Sequence, residues 1–266
     1  MNRGLLMLAG HAIYQRKGAR ISAPPLKNQN RKILAARGAP FCAIPGEPGR
    51  WHGGHQNEDR LYEEHVRDAF RIYRADGYQA LALSGGRSRP HLPLTNSEAE
   101  GMLEYAHDAK LVQPDDEVLL ERYGRDSFEN LFFSMLAFHR RYGEWPTRVG
   151  AVSWKFKALR FYLIACGLRL AQFRFYGSGD PVSFEQFAIA SVEYDSMIVR
   201  GGEIIDPLQR DPQWFAAKRL GRTPNEFSAS DYLEHVKQEY GHADLIDQVE
   251  ATQPGPAWRD ISWPWQ

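Results

Sequence analysis

Short apolar runs alternate along the chain with longer stretches in which apolar residues recur every three or four positions. Runs of the first kind lie at 4–9, 79–84, 117–121, 147–153 and 172–176. They predict buried strands, because a parallel strand covered on both faces has no polar side to present. Stretches of the second kind predict helices over 59–76, 97–110, 127–142, 155–166 and 183–200.

The helix starts carry their own signals. Ser97…Glu100, Asp126…Glu129 and Ser183…Gln186 each place an oxygen acceptor three residues before Glu or Gln, the spacing of a capping box. Within 127–142, Phe128, Leu131, Met135 and Phe138 fall on one face and are expected to meet a sheet. The 155–166 helix places Cys166 in an interior position, expected to be buried. Strands alternating with helices predict an α/β fold, a three-layer Rossmann-like parallel sheet with helices on both faces.

Two regions depart from that alternation. Between the first strand and the first long helix, residues 15–57 hold Pro24, Pro25, Pro45 and Pro48 and eight basic side chains against one acid, Glu47. So long an insertion is expected to serve as a lid or partner contact, or to run as a solvated excursion. Beyond residue 200 the pattern becomes Gly201-Gly202, short helical pieces at 211–220 and 228–240, and an end rich in Pro and Trp. Residues 1–200 are thus expected to form the α/β domain. Residues 201–266 would form a mostly helical extension packed on it, with Trp258, Trp263 and Trp265 docked in a groove or at a subunit contact. A homo-oligomer remains open on this basis.

Composition narrows the class. With 33 basic and 33 acidic side chains the net charge is zero, which gives no support to a nucleic-acid or membrane-surface role. Cys42 and Cys166 lack near partners, so neither a disulfide framework nor a zinc site is expected. The apolar stretch 5–9 is too short for a secretory or spanning segment. A cytoplasmic protein is the expectation.

In an open parallel sheet all strands end at one edge, where ligands sit. Residues just past each predicted strand therefore assemble a candidate site. Gly10 and His11 follow the first, and Ser84, Gly85, Gly86, Arg87 and Arg89 the second. Glu121, Arg125, Asp126 and Ser127 follow the third, and Lys157 and Arg160 the fourth. Gly85 and Gly86 are expected to bring backbone N–H groups close to a ligand, and the helix starts at 97, 127 and 155 to offer unpaired donors. Arg87, Arg125, Lys157 and Arg160 would clamp a phosphate or carboxylate. His11, the single histidine expected at this edge, Glu98 and Glu121 supply acid/base capacity. The Ser-Gly-Gly turn lacks the Walker and dinucleotide fingerprints, and no nucleophile elbow is present. Each feature alone is as well explained by caps and core packing; the case rests on convergence.

Five ordered blocks, "SGGRSR", "SEAEGMLEYA", "ERYGRDSFENLFFSM", "VSWKFKALRF" and "FYGSGDP", resemble the SanA/ElyC/YdcF domain-of-unknown-function family, most closely its fungal-type branch. The resemblance spans about residues 5–181, with Lys218-Arg219…Asn225 similar to a later motif. It implies a Rossmann-like fold with a site formed by His11, Ser84, Gly85, Gly86, Ser97, Glu98, Glu121, Ser127, Glu129 and Asn130. Arg160 matches the family arginine, whereas Lys157 stands where bacterial members carry histidine. The family is linked to S-adenosylmethionine and to envelope precursors; lacking the membrane anchor, this chain is not expected to share the envelope role.

Three functions follow in order of expectation. The first is an enzyme acting on a phosphorylated or otherwise anionic metabolite by hydrolysis or group transfer, with Mg²⁺ as an optional cofactor. An S-adenosylmethionine-binding protein or methyltransferase is the second, and a non-catalytic ligand sensor or partner-binding module the third.

Overall fold

A computed structural model describes residues 3–10, 12–15, 50–52, 59–87, 96–178, 198–200, 203–205, 219, 221–224, 227–252 and 260–266. The elements of the main sheet are β1 (Gly4–Ala9), β4 (Ala80–Ser84), β5 (Val118–Glu121), β6 (Arg148–Trp154) and β7 (Phe173–Ser178). They are joined through α1 (Asp59–Ala75), α2 (Glu98–Asp108), α3 (Ser127–Tyr142) and α4 (Ala158–Gly167), the last preceded by a 3₁₀ turn over Lys155–Lys157. All five strands are parallel, in the order β5-β4-β1-β6-β7. The direction of winding reverses between β1 and β6, so that gap is the topological switch point.

Alternation within the strands divides the core in two. Leu5, Met7 and Ala9 of β1 face α3 and α4, whereas Leu6 and Leu8 face α1 and α2. Leu5, Leu6, Met7 and Leu8 are all completely buried. Each such side chain contributes about 1.5–3 kcal/mol by leaving water, so the continuous apolar run follows from covering both faces. The fold is a three-layer α/β Rossmann-like sheet with C-terminal helices, as the alternation predicts.

The C-terminal part adds α5 (Ala229–Tyr240) and α6 (Ala243–Ala251). Tyr232, Val236, Tyr240, Ile246, Val249, Ile261 and Trp263 join the α3 side of the core. This second cover explains why α3 is buried from Ser127 to Phe138, more than one face would require. Trp263 donates its indole N–H to the Gly167 carbonyl at 2.9 Å and Trp265 to that of Leu168 at 2.8 Å. Both tryptophans therefore dock on their own chain; Trp258 lies outside the described residues.

Several expectations need correction. Residues 198–200 do not continue a helix over 183–200: they form β8 (Ile198–Arg200), paired antiparallel with β9 (Glu203–Ile205). Gly201 and Gly202, between the two in sequence, lie outside the described residues. The rest of that helix, the cap at Ser183 and nearly all of 211–220 lie outside the described residues. Cys166 is exposed, because Phe161, Ile164 and Ala165 turn inward while Tyr162 and Cys166, four apart, share the outer face. The insertion is pinned at its ends, where β2 (Ile13–Gln15) pairs antiparallel with β3 (Arg50–His52). Tyr14 and Trp51 there form an aromatic cluster with Tyr62 and Tyr105. Residues 16–49, with the expected lid or partner contact, are outside the described set.

Candidate functional site

Strand register sets the geometry of the sheet's C-terminal edge. Ala9, Ser84 and Glu121 are mutual partners across β1, β4 and β5, so the last two side chains point to the same face and meet. Ser84 Oγ lies 2.6 Å from Glu121 Oε2 and 3.2 Å from the Asn130 carbonyl of α3. The other carboxyl oxygen of Glu121 accepts the N–H groups of Tyr123 at 2.6 Å and Gly124 at 2.9 Å. Burial pushes the Glu121 carboxyl up to about 7, against the pull of these hydrogen bonds.

Glu98, the first residue of α2, occupies the gap between two strand ends. A Cβ on Gly10 would stand 2.6 Å from Glu98 Oε2, and one on Gly85 would stand 2.7 Å from the same atom. Both positions therefore require glycine, and the backbone φ of +150° at Gly85 adds to that requirement. The Glu98 side chain is 5 % exposed. Ser97 caps the helix from outside this contact. Its hydroxyl accepts the Glu100 N–H at 3.1 Å while Glu100 Oε2 accepts the Ser97 N–H at 2.7 Å, a complete capping box.

At Gly85, Gly86 and the helix starts at 97 and 127, backbone donors expected to face a ligand are used by the protein itself. Gly85 N–H donates to the Glu121 carbonyl and Gly86 N–H to that of Gly124. At α2, Glu98 N–H and Ala99 N–H donate to Gly86 and Gly85 carbonyls, and Ser97 takes the third donor. At α3, the Asp126 carboxylate accepts the N–H groups of Phe128 and Glu129, each at 2.9 Å. Glu129 does not close a box there, since its carboxylate turns to the Arg125 N–H instead. These helix starts are plugged by side chains and turns, not open to an anion.

Arg125 also leaves the expected clamp. Its guanidinium holds the Glu129 carboxylate through Nε and Nη2, donates to Thr223 Oγ1 at 3.1 Å, and lies 4.3 Å from the Tyr232 ring. Arg219 completes this buried cluster from the C-terminal part, 2.7 Å from Asp126, 3.3 Å from Glu129 and 3.2 Å from Glu250. Ser127 opens α3 beside it and is buried. Arg125 and Glu129 thus belong to the joint between α3 and the C-terminal segment.

Across the switch point a second group gathers at the ends of β6 and β7. Lys157 closes the 3₁₀ turn and Arg160 lies one residue-triplet on; they are 8 % and 0 % exposed. Beside them stands His65 of α1, a residue that follows no strand and so is not among those expected at this edge. Its Nε2 is 2.6 Å from the Ser178 carbonyl, and its ring packs edge-on against Trp154 at 4.4 Å. Burial pushes its imidazole down to about 4, and the Lys157 charge acts in the same direction. The available signal was its place in the inward stripe with Tyr62, Val66 and Ala69, which reads equally well as core. A histidine other than the expected one thus stands at this edge; His11 lies outside the described residues.

Arg87 is half-buried just past Gly86. Arg89 is outside the described set. Among the described residues no three His, Cys, Asp or Glu side chains converge as metal ligands, so no step is assigned to Mg²⁺. Nor, among them, is any helix long and apolar enough to cross a membrane. No family model, no curated protein and no solved structure matches the chain.

Proposed function

We propose that this protein binds a phosphorylated or otherwise anionic small molecule at the C-terminal edge of its sheet and acts on it by hydrolysis or group transfer. One observation carries the proposal: the Glu98 carboxyl fills the β1–β4 gap while the buried cations Lys157 and Arg160 follow β6, on opposite flanks of the switch point. Open α/β sheets take their ligands at that point.

In this reading Lys157, Arg160 and Arg87 stabilise negative charge on the ligand's oxygens, which is worth most where water is excluded. Glu98 exchanges a proton with the reacting group, and His11, next to Gly10 in sequence, is its proposed partner. Ser84, Gly85, Gly86 and Asn130 shape the wall. Membership of the SanA/ElyC/YdcF family is proposed on the five sequence blocks alone.

Isothermal titration with a panel of nucleotides and sugar phosphates, with and without Mg²⁺, tests the reading. Binding by at least one phosphate, weakened in Lys157→Met, is the expected result. Thermal stabilisation by S-adenosylhomocysteine with none from any phosphate would replace it with the methyl-transfer alternative.

A further inference from the structure

The second carboxyl of this edge, Glu121, is completely buried and, among the described residues, forms no ion pair. Arginines around its turn are engaged elsewhere: Arg122 faces Glu100 at 3.6 Å, while Arg125 and Arg219 hold Glu129, Asp126 and Glu250. A lone buried carboxylate is costly, and proteins commonly meet that cost by keeping the proton.

The two oxygens of Glu121 have different surroundings. Oε1 accepts two backbone N–H groups and lies 3.4 Å from the Tyr240 hydroxyl. Among the described residues, Oε2 has a single hydrogen-bonding neighbour, Ser84 Oγ at 2.6 Å. Ser84 has one hydroxyl proton but two oxygens within reach, Glu121 Oε2 and the Asn130 carbonyl. With Glu121 ionised, that proton serves only one of them. With a proton on Oε2, every contact is made: Oε2–H donates to Ser84 Oγ, the Ser84 proton goes to the Asn130 carbonyl, and Oε1 stays a pure acceptor.

We propose that Glu121 is a neutral carboxylic acid in the folded protein and a positioning residue, donating through Ser84 to the Asn130 carbonyl and so tying β4 and β5 to α3. The same two residues hold the glycines on which Glu98 rests: the Ser84 carbonyl accepts the Gly10 N–H at 2.6 Å and the Glu121 carbonyl accepts the Gly85 N–H at 3.0 Å. The positioning role rests on the function proposed for Glu98; the proton on Glu121 does not.

The groups facing Glu121 agree with this state. Ser84 comes from β4, and Glu129 of α3 adds a like charge that favours the neutral form. Tyr232 and Tyr240 of α5 are phenols that burial holds protonated.

Carboxyl-carbon NMR of the full-length chain, labelled at glutamate, decides the first half. One glutamate carboxyl is expected to titrate with a midpoint near 7, to vanish in Glu121→Gln and to move in Ser84→Ala. Glutamate carboxyls that all titrate within about one pH unit of the ordinary value near 4.3 would overturn the proposal. For the second half, Glu121→Gln keeps a donor on one arm and an acceptor on the other, so at about pH 4, where the wild-type carboxyl carries its proton, it should melt as the wild type does, whereas Glu121→Ala should melt lower. Equal losses in both variants would remove the relay. Should wild-type protein carry the neutral carboxyl yet bind none of the phosphate panel, the proton stands and the positioning role falls.

Discussion

The Glu98 carboxyl lies directly against the backbone of Gly10: a side-chain carbon at residue 10 would stand 2.6 Å from Oε2 and 2.7 Å from Glu98 Cβ. Gly85 meets the same side chain from the neighbouring strand, at 2.7 and 2.8 Å. One carboxyl thus depends on the missing side chains of two strands, and the relationship can be tested from either partner.

Gly10→Ala should destabilise the protein by about 1–3 kcal/mol, the usual cost of an extra carbon in a close-packed site. In a Glu98→Gly background, which removes both the carboxyl and the Cβ, the cost should be smaller, with the Ser84 carbonyl, 3.0 Å from the new carbon, accounting for the remainder. A double-mutant cycle by urea denaturation measures the coupling. Equal costs in both backgrounds would mean that the glycine answers to the strand and not to Glu98.

Glu98 and Glu100 lie two positions apart and differ in role. Glu98→Gln should abolish turnover or weaken phosphate binding in titration with little change in melting temperature. Glu100→Gln retains the oxygen that accepts the Ser97 N–H and should alter neither. Ser97→Ala, which removes the hydroxyl accepting the Glu100 N–H, should cost about 1 kcal/mol.

The neutral Glu121 carboxyl sets a signed pH dependence. Below about pH 4.5 it is protonated whether the chain is folded or not. As the pH rises from there, the unfolded chain releases this proton and the folded one retains it up to about 7, so its contribution to stability falls through that window. The loss amounts to about 3 kcal/mol and is complete above the folded value. Glu121→Gln escapes it and should gain on the wild type between pH 5 and 8 in urea denaturation. A constant difference across that range would mean an ionised Glu121.

Buried and exposed ion pairs should separate by size. Arg219→Met removes the buried guanidinium 2.7 Å from Asp126, while Glu129 keeps Arg125, and is expected to cost about 3–5 kcal/mol. Arg140 pairs with Glu239 at 2.5 Å but is half exposed, and Arg140→Ala should change stability by less than about 1 kcal/mol. Chemical denaturation of both variants at one salt concentration makes the comparison.

The periodicity of burial was legible from the chain alone. The β1 strand and helices α1 to α3 lie where the apolar spacing puts them, because inward and outward alternation is a local property of strand and helix. Convergence of Ser84, Glu98 and Glu121 at one edge also followed, since parallel strands all end on the same side. What tertiary structure decided was which polar groups remain for a ligand. The donors of Gly85, Gly86 and α2 are taken by carbonyls from other turns. Arg125 is held by Glu129 and by a segment whose Arg219 lies 93 residues from Asp126. His65 reaches the edge because α1 packs beneath Ser178, 113 residues away. A polar side chain's role depends on who satisfies it, and those partners are distant in sequence, whereas the alternation of apolar positions needs only its neighbours.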